Sequence, residues 1–319
     1  MRDLINWFLS NESTENLSDY AVTKVAKSIE LNLISKQNLD TLHQGFLQTV
    51  HIPVNFGEVQ SGNHYGNELF EIKNIFLKKK IFAVDSVVLH GSIITKDYVV
   101  GWSDLDSWVL LVEEKLTASA LCDLWKACKQ INRVLKRIDP LCHHSLIFHL
   151  DTELGNSNYN GIPKEVLERG LCIYGKSEIQ FSVTDNVITS QLAKLLKTFK
   201  EFRSNGILFT HQYQGEYLRS DRISHLKSPY HFKYVVAMIL NIPVMCLSDR
   251  GLAMYKGESF EQFYNEMSQD IDLIQRCEII RLNWPSGVIN EIPSETFDLL
   301  GENYLDETIT ILEKLILGE

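Results

Sequence analysis

Basic residues are in deficit in this 319-residue chain: 31 Lys and Arg stand against 41 Asp and Glu, for a net charge of −10 at pH 7. A long nucleic acid would need a basic stripe to follow its phosphates, so this balance argues against such a partner and suits a small or cationic substrate better. No C-x-x-C pair occurs among the six cysteines, Cys122, Cys128, Cys142, Cys172, Cys246 and Cys277, and their spacings are irregular. Scattered cysteines in a core-rich chain read as buried thiols of a reducing cytoplasm. The opening MRDLINWFLSNESTENL lacks a secretory apolar core and a small-residue cleavage site. No run of about 18 apolar residues stands out, so no membrane span is expected. Internal repeats and low-complexity tracts are absent too. So are G-x-x-x-x-G-K-[ST], a G-x-G-x-x-G after a strand, and G-x-S-x-G. These absences argue against P-loop hydrolases, dinucleotide enzymes and common esterases.

What is present is ordinary globular composition, 45% hydrophobic and 23% charged, at a length that suggests two domains. Residues 1 to about 46 read as helical, with Ile5, Phe8 and Leu9, then Val22, Val25, Ile29 and Leu33, at helical spacing. Asn16 or Ser18 is placed to cap the second helix. Residues 51–66 are rich in Gly, Asn and Pro and read as loop. A helix is expected over 69–80, a strand over 86–89 and a strand over 108–112. A long amphipathic helix is expected over 117–138, a strand over 145–151, and a helix with a short strand over 164–175. Beyond about 184 the pattern is helical, over 187–202, 231–240, 259–278 and 302–317. The expected architecture is therefore α/β (α+β): a small mixed sheet with a helical N-terminal extension over residues 1–183, then a mostly helical domain over 184–319.

The chemistry concentrates in HGSIITKDYVVGWSDLDSWVLL, from His90 to Leu111. A strand ends in Gly91-Ser92, a short loop follows, and Asp104 and Asp106 head the next apolar strand. Carboxylates at i and i+2 of a strand share a face and can reach one hard cation. Two like charges side by side are costly unless a cation neutralises them.

Gly91-Ser92 followed by Gly101-Trp102-Ser103-Asp104-Leu105-Asp106 resembles the signature of the polymerase-β-like nucleotidyltransferase superfamily, whose members include aminoglycoside and minimal nucleotidyltransferases. The segment VLERGLCIYG, from Val166 to Gly175, resembles the stretch that follows the third carboxylate in such enzymes. Phe232 to Phe263 resembles the helical substrate domain of the antibiotic-modifying members. The resemblance implies transfer of a nucleoside monophosphate from a nucleoside triphosphate, with ATP the expected one, to an acceptor hydroxyl, releasing pyrophosphate. It implies Mg2+ held by Asp104 and Asp106, the triphosphate on Gly91 and Ser92 with help from Ser103, and an active site in the cleft between the two domains. The chemistry fits those residue types. Nucleotidyl transfer needs charge neutralisation and in-line positioning rather than covalent help, and magnesium takes hard oxygen ligands.

The family places a third acid on the neighbouring strand. In HHSLIFHLD (residues 143–151) Asp151 is the one acid, at the strand's end, and is the candidate third metal ligand and activator of the acceptor. His144 or His149 is the alternative occupant of that position, although neutral imidazole is a poor magnesium ligand. Lys233 is placed to approach the triphosphate from the helical domain, with a solvated lysine the plainer reading; Trp102 is placed to stack on a base or sugar, and Trp108 to pack in the core. An aminoglycoside-like small molecule is the favoured acceptor. Labelling of a protein or an RNA end, in the manner of toxin–antitoxin members, is one alternative. A non-catalytic nucleotide-binding module is another.

Overall fold

The computed structural model describes all residues except 11–13, 15, 38–45, 63, 80, 96, 140–145, 155–167, 184–189, 206, 210–216, 220–227, 253–254, 267–270, 287–288 and 319. The fold is mixed α and β, with helices at both ends. It divides into two units, Met1–Lys96 with Asp104–Asn186, and Asp97–Ser103 with Val187–Glu319.

The first unit opens with α1 (Arg2–Ser10) and α2 (Asp19–Gln37). Ser18 Oγ accepts the Ala21 N–H and so caps α2. Then come β1 (Phe46–His51), α3 (Phe56–Ser61), α4 (Gly66–Lys79), β2 (Val84–His90), α5 (Ser92–Thr95), β3 (Asp106–Leu111) and α6 (Ala118–Ile138). The unit closes with β4 (Ile147–Leu150), α7 (Asp151–Leu154), β5 (Leu171–Gly175) and β6 (Glu178–Val183). Two strands correct the expectations. The stretch entering the expected loop is β1, and β6 follows the short β5; each other is the partner they pair with, antiparallel from Phe46↔Val183 to His51↔Glu178. Such pairing is decided by distant residues, not by local propensity.

The main sheet runs β4-β3-β2-β5. β2 is antiparallel to both β3 and β5, whereas β3 and β4 are parallel and joined through α6. One face presents Val88, Trp108, Leu110 and Cys172, which pack with Val50, Ile52, Leu154 and Ile179. Thr117 caps α6 by accepting the Ala120 N–H, and the helix buries Leu121, Leu124, Trp125, Cys128, Ile131, Leu135 and Ile138 at 3–4-residue spacing. The outer edge of β4 is closed by α1: Asn6 donates through Nδ2 to the Phe148 carbonyl (2.9 Å) and accepts the Phe148 N–H through Oδ1 (2.8 Å).

The second unit contains α8 (Gln191–Asn205), the short hairpin β7 (Ile207–Phe209) and β8 (Tyr217–Arg219), then α9 (Pro229–Ile239) and α10 (Ile242–Asp249). It ends with α11 (Lys256–Glu266), α12 (Asp272–Leu282), α13 (Ser294–Leu300) and α14 (Tyr304–Leu317). The single helix expected over 259–278 is thus two. Asp249 caps α8 from another helix, accepting the Gln191 and Leu192 N–H groups (2.9 and 3.2 Å) and the Ser190 hydroxyl. Arg276 donates to the Leu299 and Leu300 carbonyls at the end of α13 and pairs with Asp272 and Glu307.

One stretch bears on the expectation that no run spans a membrane. His231–Asp249 reaches a mean hydropathy of 1.4 and is long and apolar enough to cross a membrane by length and composition, among the described residues. It is built of two helices, α9 and α10, meeting at a turn over Leu240–Asn241, and it puts Phe232, Val235, Val236, Ile239, Ile242 and Leu247 in the core.

Candidate functional site

Antiparallel pairing sets His90, the last residue of β2, opposite Asp106, the first of β3. Beyond His90 the chain turns through Gly91, which has φ = +72°. That left-handed conformation favours glycine. Space demands it as well, because a Cβ at 91 would overlap Asp106 Oδ2. The Asp106 carboxylate therefore lies directly against the turn. The Gly91 carbonyl accepts the Ile94 and Thr95 N–H groups (3.0 and 3.1 Å) and the Thr95 hydroxyl (3.2 Å), so the chain winds into α5 around it. Ser92 opens α5 and is half-exposed.

Asp104 and Asp106 are half-buried, with Leu105 between them in the core. The negative charge of Asp104 acts on His90. Asp106 thus lies against the His90–Gly91 strand end, and the charge of Asp104 is felt there. His90 itself was not singled out as a site residue in the sequence. Burial outweighs the Asp104 attraction and lowers its pKa from 6.5 to about 4, so the imidazole is neutral at pH 7. Its Nε2 is buried and has no hydrogen-bond partner among the described residues. The only sequence signal was its place immediately before Gly91.

Asp151 belongs elsewhere, which corrects its assignment as third carboxylate. The parallel register Leu111↔Leu150 sets Asp151 one step beyond the end of β3 away from Asp106. At about 3.3 Å per residue the two acids are separated by roughly 20 Å along the sheet. Asp151 Oδ1 instead accepts the Glu113 and Thr152 N–H groups, both at 2.9 Å. Its electrostatic neighbour is Lys176, which pairs with Asp85 at 2.8 Å. An acid at the C-terminal end of a parallel strand looks like a ligand in sequence and serves here as an acceptor for loop amides.

The alternatives on β4 do not replace it. His149 pairs with Leu110 and packs on Trp108 at 4.7 Å between ring centroids. Burial lowers its pKa to about 3, helped by Arg2 and His90. His143 and His144 lie outside the described residues. Among the described residues no group of three or more His, Cys, Asp or Glu side chains is gathered to hold a metal ion; Asp104 and Asp106 supply a pair of hard oxygen donors.

The residues between the turn and the acids belong to the second unit. Ser103 is buried; its Oγ accepts the Val99 N–H at 2.9 Å while its own N–H donates to the Val99 carbonyl at 2.8 Å. Its oxygen thus closes a turn over residues 99–103. Trp102 is 5% exposed and meets Trp284 edge to face at 5.0 Å, so it is a packed residue rather than an open stacking platform. Lys233 is 2% exposed, with Nζ 5.8 Å from the Trp102 ring centre. It is neither the solvated lysine nor a group open to a triphosphate.

Compared with known proteins, the chain matches no family model, no curated protein and no solved structure.

Proposed function

We propose that the protein is a magnesium-dependent nucleotidyltransferase, moving a nucleoside monophosphate from a nucleoside triphosphate, ATP in the first instance, to the hydroxyl of a small acceptor. The observation that carries this reading is the Asp106 carboxylate seated on the Gly91 turn, with Asp104 acting on the adjoining His90. A polyphosphate brought to that turn would place its bound cation beside two oxygen donors. Mg2+, when bound, would neutralise the phosphate charge and polarise the reacting phosphoryl group. Asp104 and Asp106 are the residues to hold it, and Gly91 and Ser92 the residues to seat the triphosphate. In the reaction the acceptor oxygen bonds to the α-phosphorus and the α–β bridging P–O bond breaks. Pyrophosphate departs with the electron pair, and the hydroxyl proton passes to solvent. The acidic surface suits an acceptor that carries amines, an aminoglycoside-like molecule. The thiol pattern suits the cytoplasm.

The remote position of Asp151 favours a second reading, a module that binds a magnesium nucleotide and does not turn it over. Labelling of a protein or an RNA end is the remaining alternative for the acceptor. The test is incubation with Mg2+ and each labelled triphosphate, with and without amino-sugar acceptors, following pyrophosphate. Release that needs both acids supports transfer. Binding without release points to the module, and release that survives Asp104→Ala together with Asp106→Ala places the chemistry elsewhere.

A further inference from the structure

Helix α2 is apolar on two opposite sides. Val22, Ala26, Ile29 and Leu33 recur at 3–4-residue spacing and lie in the core. Facing away from them, Tyr20, Leu31 and Ile34 are 69%, 65% and 53% exposed. Successive residues turn by about 100° and rise by about 1.5 Å, so positions 20, 24, 27, 31 and 34 share one stripe about 21 Å long. Its middle is Lys24 and Lys27, both exposed, and Lys24 Nζ stands over the Tyr20 ring, 4.6 Å from its centre. Thr23, Ser28, Asn32 and Ser35, also exposed, are uncharged. Three of them turn their donors back onto the helix. Thr23 Oγ1 donates to the Asp19 carbonyl (2.8 Å), Asn32 Nδ2 to that of Ser28 (2.9 Å), and Ser35 Oγ to that of Leu31 (2.9 Å).

An apolar side chain exposed singly is ordinary and calls for no explanation. Here three fall in one row, in a chain with 41 acids against 31 bases, and the exposed positions of 20–35 hold no acid; Glu30 is half-buried. Charge then selects the occupant. A second copy meeting the stripe about a two-fold axis centred on it would set the two Lys27 side chains against each other, whether the helices run parallel or antiparallel. A lipid surface fits poorly too. An interfacial helix keeps its lysines at the borders of the apolar face, where they reach the headgroups, whereas Lys24 and Lys27 stand in the row itself. The net charge of −10 also opposes anionic lipid. A helix with carboxylates inside its own apolar row meets both demands: its aliphatic groups cover Tyr20, Leu31 and Ile34, and its acids meet the two lysines.

We propose that the exposed face of α2 docks an acidic amphipathic helix of another protein, laid along Tyr20, Lys24, Lys27, Leu31 and Ile34. This stands apart from the chemistry at Gly91 and the two acids. A single helix face covers less surface than a standard interface, so the contact belongs to the weak, exchanging class. The apolar ends of the stripe supply affinity, and the lysines supply the choice of partner.

The probe is a synthetic helical peptide, rich in Ala and Gln, whose apolar row has Leu at both ends and two Glu in its middle. A second peptide carries Lys in place of the Glu pair. Each is labelled and titrated with the full chain, and binding is read by fluorescence anisotropy. The acidic peptide should bind with a Kd of about 100 μM or tighter, and the basic one at least about 10-fold more weakly. Lys24→Glu together with Lys27→Glu should reverse that preference. Leu31→Gln together with Ile34→Gln should weaken the acidic peptide by about 10-fold or more. These four positions are exposed, so circular dichroism should show the fold unchanged. Equal binding of the two peptides overturns the proposal, and so does binding that the Leu31 and Ile34 changes leave intact. No binding at about 1 mM peptide overturns it as well. A dimer in sedimentation velocity that the same two changes dissolve assigns the face to a second copy instead. Co-sedimentation with vesicles of equal parts phosphatidylcholine and phosphatidylserine, lost in that variant, assigns it to lipid; either result replaces the proposal.

Discussion

Gly91 and Asp106 occupy adjoining space: the α-carbon of the one leaves no room for a methyl group beside the carboxylate of the other. A strand end and a strand start, 15 positions apart in the chain, are thereby locked into one corner. Gly91→Ala should cost about 1–3 kcal/mol from the left-handed backbone conformation, and more from the overlap. Urea unfolding measures the first effect, and triphosphate titration should show binding lost with it. A variant as stable and as well bound as the wild type would mean that the two residues are not in contact.

Asp104→Asn and Asp106→Asn remove one negative charge each from half-buried positions beside neutral His90. The fold should survive both changes, as read by circular dichroism. Magnesium-dependent pyrophosphate release should fall by more than the about 100-fold that an outer-shell partner can be worth. Full activity in either variant would remove that acid from the site.

Asp151→Ala separates position in the chain from position in space. It deprives the Glu113 and Thr152 N–H groups of their acceptor and should destabilise the fold by about 1–3 kcal/mol. Turnover measured below the melting range should not change. A loss of turnover comparable with that of Asp106→Asn would restore Asp151 to the site.

Stability should fall on mild acidification. His90 and His149 stay neutral in the folded protein down to about pH 4 and about pH 3, whereas both protonate near 6.5 once unfolded. Below pH 6.5 the unfolded chain therefore binds more protons, and folding stability decreases as pH falls through this window, by up to about 1.4 kcal/mol per pH unit for each histidine. Denaturant midpoints between pH 7.5 and 5 test this. His149→Phe should flatten the slope by about one proton, and an unchanged slope would mean that His149 is charged in the folded state.

Asp249→Ala should uncap α8 and cost about 0.5–2 kcal/mol. Faster amide exchange is expected at Gln191 and Leu192, whose N–H groups the carboxylate accepts. Protection there equal to wild type would show that the cap is supplied from another source.

The elements of the first sheet were largely legible because their signals are local. The apolar run of β2, the Thr117 cap and the 3–4-residue spacing of α6 need only neighbouring residues to be recognised. The β1–β6 pair was missed, since neither strand has a hydrophobic pattern that outweighs its surroundings and each depends on a partner about 130 positions away. The same difference separates the site residues. Gly91, Asp104 and Asp106 are related by a turn and a two-residue period. Asp151, Ser103 and Lys233 could be placed only by register and packing.

The amino-acid order by itself determined a mixed α and β chain, a glycine turn at the end of one strand and two carboxylates at the head of the next, because chain connectivity and side-chain alternation leave those relations little freedom. Tertiary structure alone decided that Asp151 stands at the other end of the sheet, that His90 is a neutral, half-buried neighbour of the acids, and that residues 97–103 are held by Arg281 and Trp284. The physical reason is the same in each case: strand register, desolvation and the pairing of a buried charge are properties of residues brought together from distant parts of the chain, and no local pattern encodes them.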